Sequence, residues 1–563
     1  MRGATIGGMR HPSDPRPHAR RAPSAEPRAA VRARSAVALA LGLAAALAVA
    51  GCAGTQASPG GSPGSPGSGG AIGPVAGLPD EALAVMNSPA YASGSWAISV
   101  QDLDTGETLV SLDADRLVEP GSVVKTYSVG AAWQLFGPDH RVTTPVVRTG
   151  DVSDGVLAGD LVLVGAGDLT MGGRTKPDGT VDFADLDHND ANAIPGAQLT
   201  PEDPLAGIDD LARQVRASGI TSVTGDVLVD DRLWDAHELA DEPITPIIVN
   251  NNVIDLVTTP GAVGATAAVE MRPVVAPWRV TSRVSTVAAG GTTRILVTSP
   301  SPGVIELTGT IAADSAPTVN VHAVDDPASF ARSALIAALG RAGVSLAADP
   351  AVGQRPAALP AKDAVSGLPV VASLRSLPLE QEARYTLKVS YNRGAETYMC
   401  LLAVAAGSTD CEAGFAKARE IWAAAGLDTT GASLIDGSGL EGNLVTPANQ
   451  VSLQAIMAAR PDAERWKQSL PVLGVDGSLA LVQASSPAAG HVWAKTGSLG
   501  QPDLLNDRLR LPAKALGGYI DAASGRRLVF MIVVSNGLFA DIQGVFAAND
   551  DVGRVAALIQ QHY

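Results

Sequence analysis

The hydrophobic pattern of this chain changes character twice, and that change constrains its fold more than any other feature. SWAISVQDLDTGETLVSLDADRL, beginning at Ser95, alternates in the manner of two strands joined by a turn at Asp104-Thr105-Gly106. EPGSVVKTYSVGAAWQLFG then reads as a turn into an apolar helix. From about 148, short alternating strands take over, among them GDLVLVGAGD (159–168) and TGDVLVDDRLW (224–234), with Gly, Asp and Pro between them. A helical period returns in ASFARSALIAALGRAGV (328–344) and in a run over 379–405. KALGGYIDAASGRRLVFMIVVSN predicts an antiparallel hairpin, and DVGRVAALIQQHY a final helix. Helices and antiparallel strands thus occupy both ends, with a strand-rich block between them. The pattern predicts an α+β fold interrupted by an insertion. One domain is expected from 78–147 together with 325–563, and one or more inserted strand-rich domains over 148–324.

Ahead of this body, residues 36–51 (AVALALGLAAALAVAG) are uncharged and apolar. The run is short for a membrane span and right for the apolar core of a signal peptide, with Arg32 and Arg34 just before it. Val49-Ala50-Gly51-Cys52 closes the run and looks like a bacterial lipobox, with Cys52 as the lipid-modified residue. Residues 1–52 are therefore read as a signal peptide with lipobox, an ordinary signal peptide being the alternative. The Gly/Ser/Pro-rich stretch 53–77 cannot build a core and predicts a tether. The expectation is an exported protein, held by lipid at the outer face of a bacterial cytoplasmic membrane or in the cell envelope.

Export also bears on Cys400 and Cys411, which it would place in an oxidising compartment. A disulfide between them is expected, two buried free thiols being the alternative. The formal net charge is −16, and the N-terminal segment is arginine-rich, so the body is more acidic still. Such a surface repels polyanions, and nucleic acid is not an expected partner.

Three short motifs carry candidate chemistry. Ser122-Val123-Val124-Lys125 stands at the start of the predicted apolar helix. Residues three apart share a helix face, and a serine hydroxyl is a weak nucleophile until a base takes its proton. A neutral lysine one turn away can be that base, and burial favours the neutral form. Ser390-Tyr391-Asn392 lies in the helical run. Ser390 could relay a proton to a leaving group, and Asn392 could hold a substrate amide. Lys495-Thr496-Gly497-Ser498 follows HVWA and precedes a predicted loop. Gly497 permits close backbone approach. The two hydroxyls and the ammonium suit a carboxylate, and the N–H of Ser498, with that of Ser122, could form an oxyanion hole.

Each motif alone is weak. Together, and in this order, they resemble the Ser-x-x-Lys, Ser-x-Asn and Lys-Thr-Gly set of the penicillin-binding proteins and class A β-lactamases. The long stretch between the first two motifs distinguishes within that superfamily. It is similar to the class C, low-molecular-mass penicillin-binding proteins, the D-alanyl-D-alanine carboxypeptidase/endopeptidase family, which carry extra domains at that point. GDLVLVGAGDLT, VTGDVLVDD, NNNVIDLVTTPG, LIDGSGLEGNLVTP, LPVLGVDGSL and SGRRLVFMIVVSN extend the resemblance over about 80–560. It implies a transpeptidase-type domain, an antiparallel sheet with helices on both faces. It also implies Ser122 as nucleophile, Lys125 as base, and Ser390, Asn392 and Lys495 as further catalytic groups, with Thr496, Gly497 and Ser498 binding substrate and oxyanion. The implied substrate is a peptidoglycan stem peptide ending in D-Ala-D-Ala, with β-lactams as inhibitors and no cofactor.

Two features depart from the family pattern. Tyr391 stands where a small or polar residue is usual, and Arg393 follows close by. LGQPDLLNDRLRLPA after the third motif is longer than the usual link and could form a flap at 499–513. Other candidates weigh less. Asp187-His188-Asn189-Asp190 has metal-ligand residue types, but no second His at ligand spacing, and no metal is expected. Ser438 in Asp436-Gly437-Ser438-Gly439 lacks the context of a nucleophile and reads as a turn near the cleft. Two further readings remain open: a β-lactamase-like hydrolase, against which no Glu-x-x-Leu-Asn element stands between Ser390 and Lys495, and an inactive wall-binding lipoprotein.

Overall fold

The structure is a computed structural model describing residues 71–563. The signal peptide, Cys52 and the tether up to residue 70 lie outside the described residues.

The two ends of the chain build an antiparallel sheet in the order Thr108–Leu112, Ser95–Asp102, Arg527–Ser535, Arg508–Asp521, Val492–Asp503. Leu528-Val529-Phe530-Met531-Ile532-Val533-Val534 is an unbroken apolar run because its strand is central and buried on both faces. Val529, Met531 and Val533 join one core with Val123, Trp133, Ala515 and Tyr519. Leu528, Phe530, Ile532 and Val534 join another with Met86 of the helix Asp80–Met86 and Val555 and Ile559 of the helix Gln543–His562. Helices therefore cover both faces.

The helix Lys125–Phe136 is buried over nearly all of its length, as expected where apolar residues surround a helix on all sides. Trp133 meets Trp466 edge to face at 5.4 Å. This packing fixes the helix from which the first motif projects.

Between the first two motifs lie several small sheets. Val253–Thr259 pairs with Ala268–Arg272 and Thr318–Ala323. Arg279–Val287 runs parallel to Val304–Ala312, which pairs antiparallel with Arg294–Ser301. A further sheet joins Thr143–Arg148, Leu161–Val164 and Val227–Asp230 to Val370–Arg375. The sequence boundaries at 148 and 324 do not coincide with this packing. Val146, Ala372 and the helix Pro327–Arg341 all enter the core of the inserted block. Periodicity marks that helix but not the core it faces.

Two local expectations are corrected. The run 379–405 is two helices, Leu379–Lys388 and Asn392–Ala405, with Val389-Ser390-Tyr391 breaking them. The segment after the third motif is not a loop: its strand continues to Asp503 and pairs back through Gln501↔Arg510, Pro502↔Leu509 and Asp503↔Arg508 past an irregularity at Leu499/Gln501. The 499–513 segment is thus the end of a long hairpin, with Leu504 and Leu505 exposed at its tip.

Cys400 and Cys411 are joined in a disulfide. It is buried with Trp234, Leu239 and Ile244, residues of the inserted block. Asp187 and His188 serve a buried polar cluster. Asp187 takes both hydrogen bonds of an Arg174 fork at 2.6 and 2.9 Å, and the His188 ring meets Asp255 at 2.7 Å.

Candidate active site

Ser122 sits in a single 3₁₀ turn, Gly121–Val124, that runs directly into the helix Lys125–Phe136. Lys125 is 0% exposed. Its Nζ lies 2.9 Å from Ser122 Oγ, 2.6 Å from Asn392 Oδ1 and 2.7 Å from the Ser438 carbonyl oxygen. An amine has no freedom to swing away when three acceptors hold it, so its position beside the hydroxyl is fixed by groups from three separate stretches of chain.

The second motif occupies the break between helices. Ser390 has φ 62, a left-handed conformation uncommon for a residue with a side chain. It stands where a helix end is commonly closed by glycine, at a cost of about 1–3 kcal/mol. Strain of this kind persists at functional sites because the surroundings enforce it. Here the Tyr391 N–H donates to Thr386 O at 2.9 Å. The tripeptide then alternates. Ser390 Oγ accepts from Lys495 Nζ at 3.0 Å, Asn392 turns to Lys125, and Tyr391 turns into the core beside Tyr385, 2% exposed. Arg393 also points away from the cleft, its Nε donating to Glu242 at 3.0 Å. Tyr391 and Arg393 therefore both turn away from Ser122 and Lys125.

The third motif lies on the edge strand of the sheet. A Cβ on Gly497 would fall 1.9 Å from Pro120 O, and one on Gly121 would fall 2.7 Å from Ser498 N. Only glycines allow the strand to lie this close to the Ser122 turn, and this closeness brings the Ser498 N–H beside that turn. Lys495 is wholly buried, and its Nζ also donates to Thr496 O at 2.9 Å. Thr496 Oγ1 is 2.8 Å from Ser478 Oγ, and Ser498 Oγ accepts from Lys514 Nζ at 2.5 Å.

Sequence reasoning missed several supporting groups. Ser438 acts through its carbonyl, so its side-chain type gave no signal. The loop is shaped by Asp436, whose Oδ1 accepts from the N–H groups of Ser438 and Gly439 at 2.8 and 2.6 Å. Glu396, one turn beyond Asn392, accepts from Gly437 N at 2.6 Å and meets the His237 ring at 2.8 Å. Lys388 and Asp476 form a two-oxygen ion pair at 2.6 and 2.7 Å, tying the Ser390 turn to the loop of Ser478. Burial draws the Lys388 ammonium down to about 8, with Asp476 opposing. Among the described residues His237, Cys400 and Cys411 stand close together, but the two sulfurs are spent on their disulfide.

The arrangement is two groups of polar residues. One is hydroxyl, amine, amide and carbonyl (Ser122, Lys125, Asn392, Ser438). The other is hydroxyl and ammonium with two further hydroxyls (Ser390, Lys495, Thr496, Ser498). Such a set can deliver a serine nucleophile to a carbonyl, return a proton on the far side and hold a carboxylate.

The chain is similar to known proteins. Residues 81–551 match the D-Ala-D-Ala carboxypeptidase 3 (S13) family. A D-alanyl-D-alanine carboxypeptidase of Actinomadura sp. (strain R39) is 30% identical over 482 residues, covering 80% of this chain and 79% of the relative. Penicillin-binding protein 4 of Haemophilus influenzae superposes with a TM-score of 0.63 at 16% identity, over 85% of this chain and 99% of that one. The same protein in complex with a β-lactam gives a TM-score of 0.59 at 17% identity, over 83% and 97%. The fold is shared with these structures.

Proposed function

The chain belongs to the D-Ala-D-Ala carboxypeptidase 3 (S13) family, and from that membership we propose the following course of reaction on peptidoglycan stem peptides. Ser122 Oγ attacks the carbonyl between the two terminal D-Ala residues, and its proton passes to Lys125 Nζ. The N–H groups of Ser122 and Ser498 face the oxyanion. Asn392 holds the substrate amide. Ser390, bonded to Lys495, hands a proton to the amine of the departing D-Ala, and Thr496, Ser498 and Lys495 hold its carboxylate. Water then cleaves the Ser122 ester and frees the shortened peptide. β-Lactams acylate the same hydroxyl because the strained ring presents a carbonyl and a carboxylate at similar positions.

What supports this reading above all is the pair of contacts made by one tripeptide: Asn392 to Lys125 and Ser390 to Lys495. The test is digestion of purified muropeptides with product masses read out. Loss of a single alanine from pentapeptide stems is expected. Intact pentapeptides after prolonged incubation would defeat the proposal, and cleaved cross-linked dimers would add endopeptidase action.

The envelope location belongs to the same proposal. Lipid on Cys52 is taken as the membrane anchor, with 53–77 as its tether. Cys52→Ala is expected to move the protein from the membrane fraction to the soluble exported fraction. Retention in the membrane fraction after that change would rule out the lipid at Cys52 as the sole anchor.

A further inference from the structure

Lys514 lies on the strand Arg508–Asp521, directly across from Ser498 in the register. It is 4% exposed. Among the described residues it forms no ion pair, and its hydrogen bond goes to Ser498 Oγ at 2.5 Å. Its neighbours along the strand are apolar: Leu511, Ala513, Ala515 and Leu516 are all buried. Burying an amine without a counter-charge is costly, and that burial pulls the Lys514 ammonium down to about 7; a substrate carboxylate arriving beside Ser498 raises it again and favours the charged, donating form. A methionine of similar length would fill the same space at no such cost, so filling the core does not account for the residue.

The hydrogen-bond chemistry at Ser498 supplies an account. An ammonium only donates. When Lys514 donates to Ser498 Oγ, the hydroxyl hydrogen of Ser498 has to point elsewhere. Ser498 is exposed and stands two residues beyond Thr496 on the same face of the edge strand. Its hydrogen is thereby turned toward the cleft, beside the Thr496 hydroxyl, and is polarised by the charge behind it.

We infer that Lys514 is a positioning residue for the substrate's terminal carboxylate, orienting and polarising the Ser498 hydroxyl that binds it. The inference rests on the carboxypeptidase reading and adds a residue to its specificity.

The test compares a peptide ending in D-Ala-D-Ala as the free acid with the same peptide as its C-terminal amide. It also compares benzylpenicillin with its methyl ester. The full chain is expected to prefer the acid in both pairs. Lys514→Met is expected to raise KM for the acid by roughly 10- to 100-fold, the range of a charge-assisted hydrogen bond, with kcat within a few fold and the amide unaffected. Lys514→Arg should keep part of the acid preference. In a Ser498→Ala background, Lys514→Met should add no more than about threefold. Equal losses on acid and amide would mark Lys514 as merely structural and overturn the inference. So would a wild-type chain with no acid preference, a measurement that stands even if the variants fail to fold. A wild-type chain that processes neither peptide nor penicillin would instead sink the carboxypeptidase reading.

Discussion

Ser122→Ala is expected to abolish covalent labelling by a fluorescent penicillin and to cut D-Ala release by roughly 10⁴-fold or more, as removal of a nucleophile does elsewhere. The change removes one oxygen from the half-buried Ser122 in an otherwise buried turn. Gly497 and Gly439 clamp that turn through backbone contacts that do not involve the hydroxyl, a Cβ on Gly439 falling 2.0 Å from Gly121 O. The melting temperature should therefore hardly move. Lys125 would lose one hydrogen bond of the three described and keep those to Asn392 and Ser438, so the rest of the site should stay in place. The discriminating readout is labelling of the folded variant at saturating penicillin. Label that persists would place the nucleophile elsewhere, with Ser390, the hydroxyl bonded to Lys495, first to be examined.

Lys125→Ala is expected to slow acylation by about 10²–10⁴-fold, the usual contribution of general-base help. It differs from the serine change in its cost to the fold. The Ser438 carbonyl would lose a donor in a buried setting, at about 1–3 kcal/mol for a group left unsatisfied, and the half-buried Asn392 Oδ1 would lose one too. A lower melting temperature is thus expected alongside the loss of rate. Lys125→Arg separates the two effects. A guanidinium can donate to the same acceptors but cannot give up its proton in a protein. It should restore part of the stability and little of the acylation rate. If acylation by Lys125→Ala fell less than about tenfold, or if arginine restored it, the base would have to be another group.

The three motifs were legible because each is a short run whose chemistry is carried by side-chain type: a hydroxyl one helical turn from an amine, a hydroxyl and an amide two residues apart, an ammonium beside hydroxyls and a glycine. The central strand at 528–534 was legible for a similar reason, since burial on both faces demands an unbroken apolar run. The break at Ser390 was not. Leu379–Lys388 and Asn392–Ala405 both have helical periodicity, and a serine at positive φ has no local signature when tertiary contacts enforce it. Glu396 and Lys514 also escaped notice, the first because it acts on a loop brought to it from farther along the chain, and Ser438 was read as a turn without the role of its carbonyl.

By itself, then, the sequence singled out the candidate reacting groups, the order in which the chain supplies them and the alternation of fold type along it. All of these follow from residue type and from periods of two and 3.6, which are local properties. Only the tertiary structure decided which groups meet. Lys125 and Asn392 are 267 positions apart, and Lys495 and Ser390 are 105 apart. The packing of Pro327–Arg341 against the inserted block, the carbonyl of Ser438 on Lys125 and the amine of Lys514 behind Ser498 depend likewise on distant partners. A hydrogen bond or a buried face is a property of two partners, and a sequence names only one of them at a time.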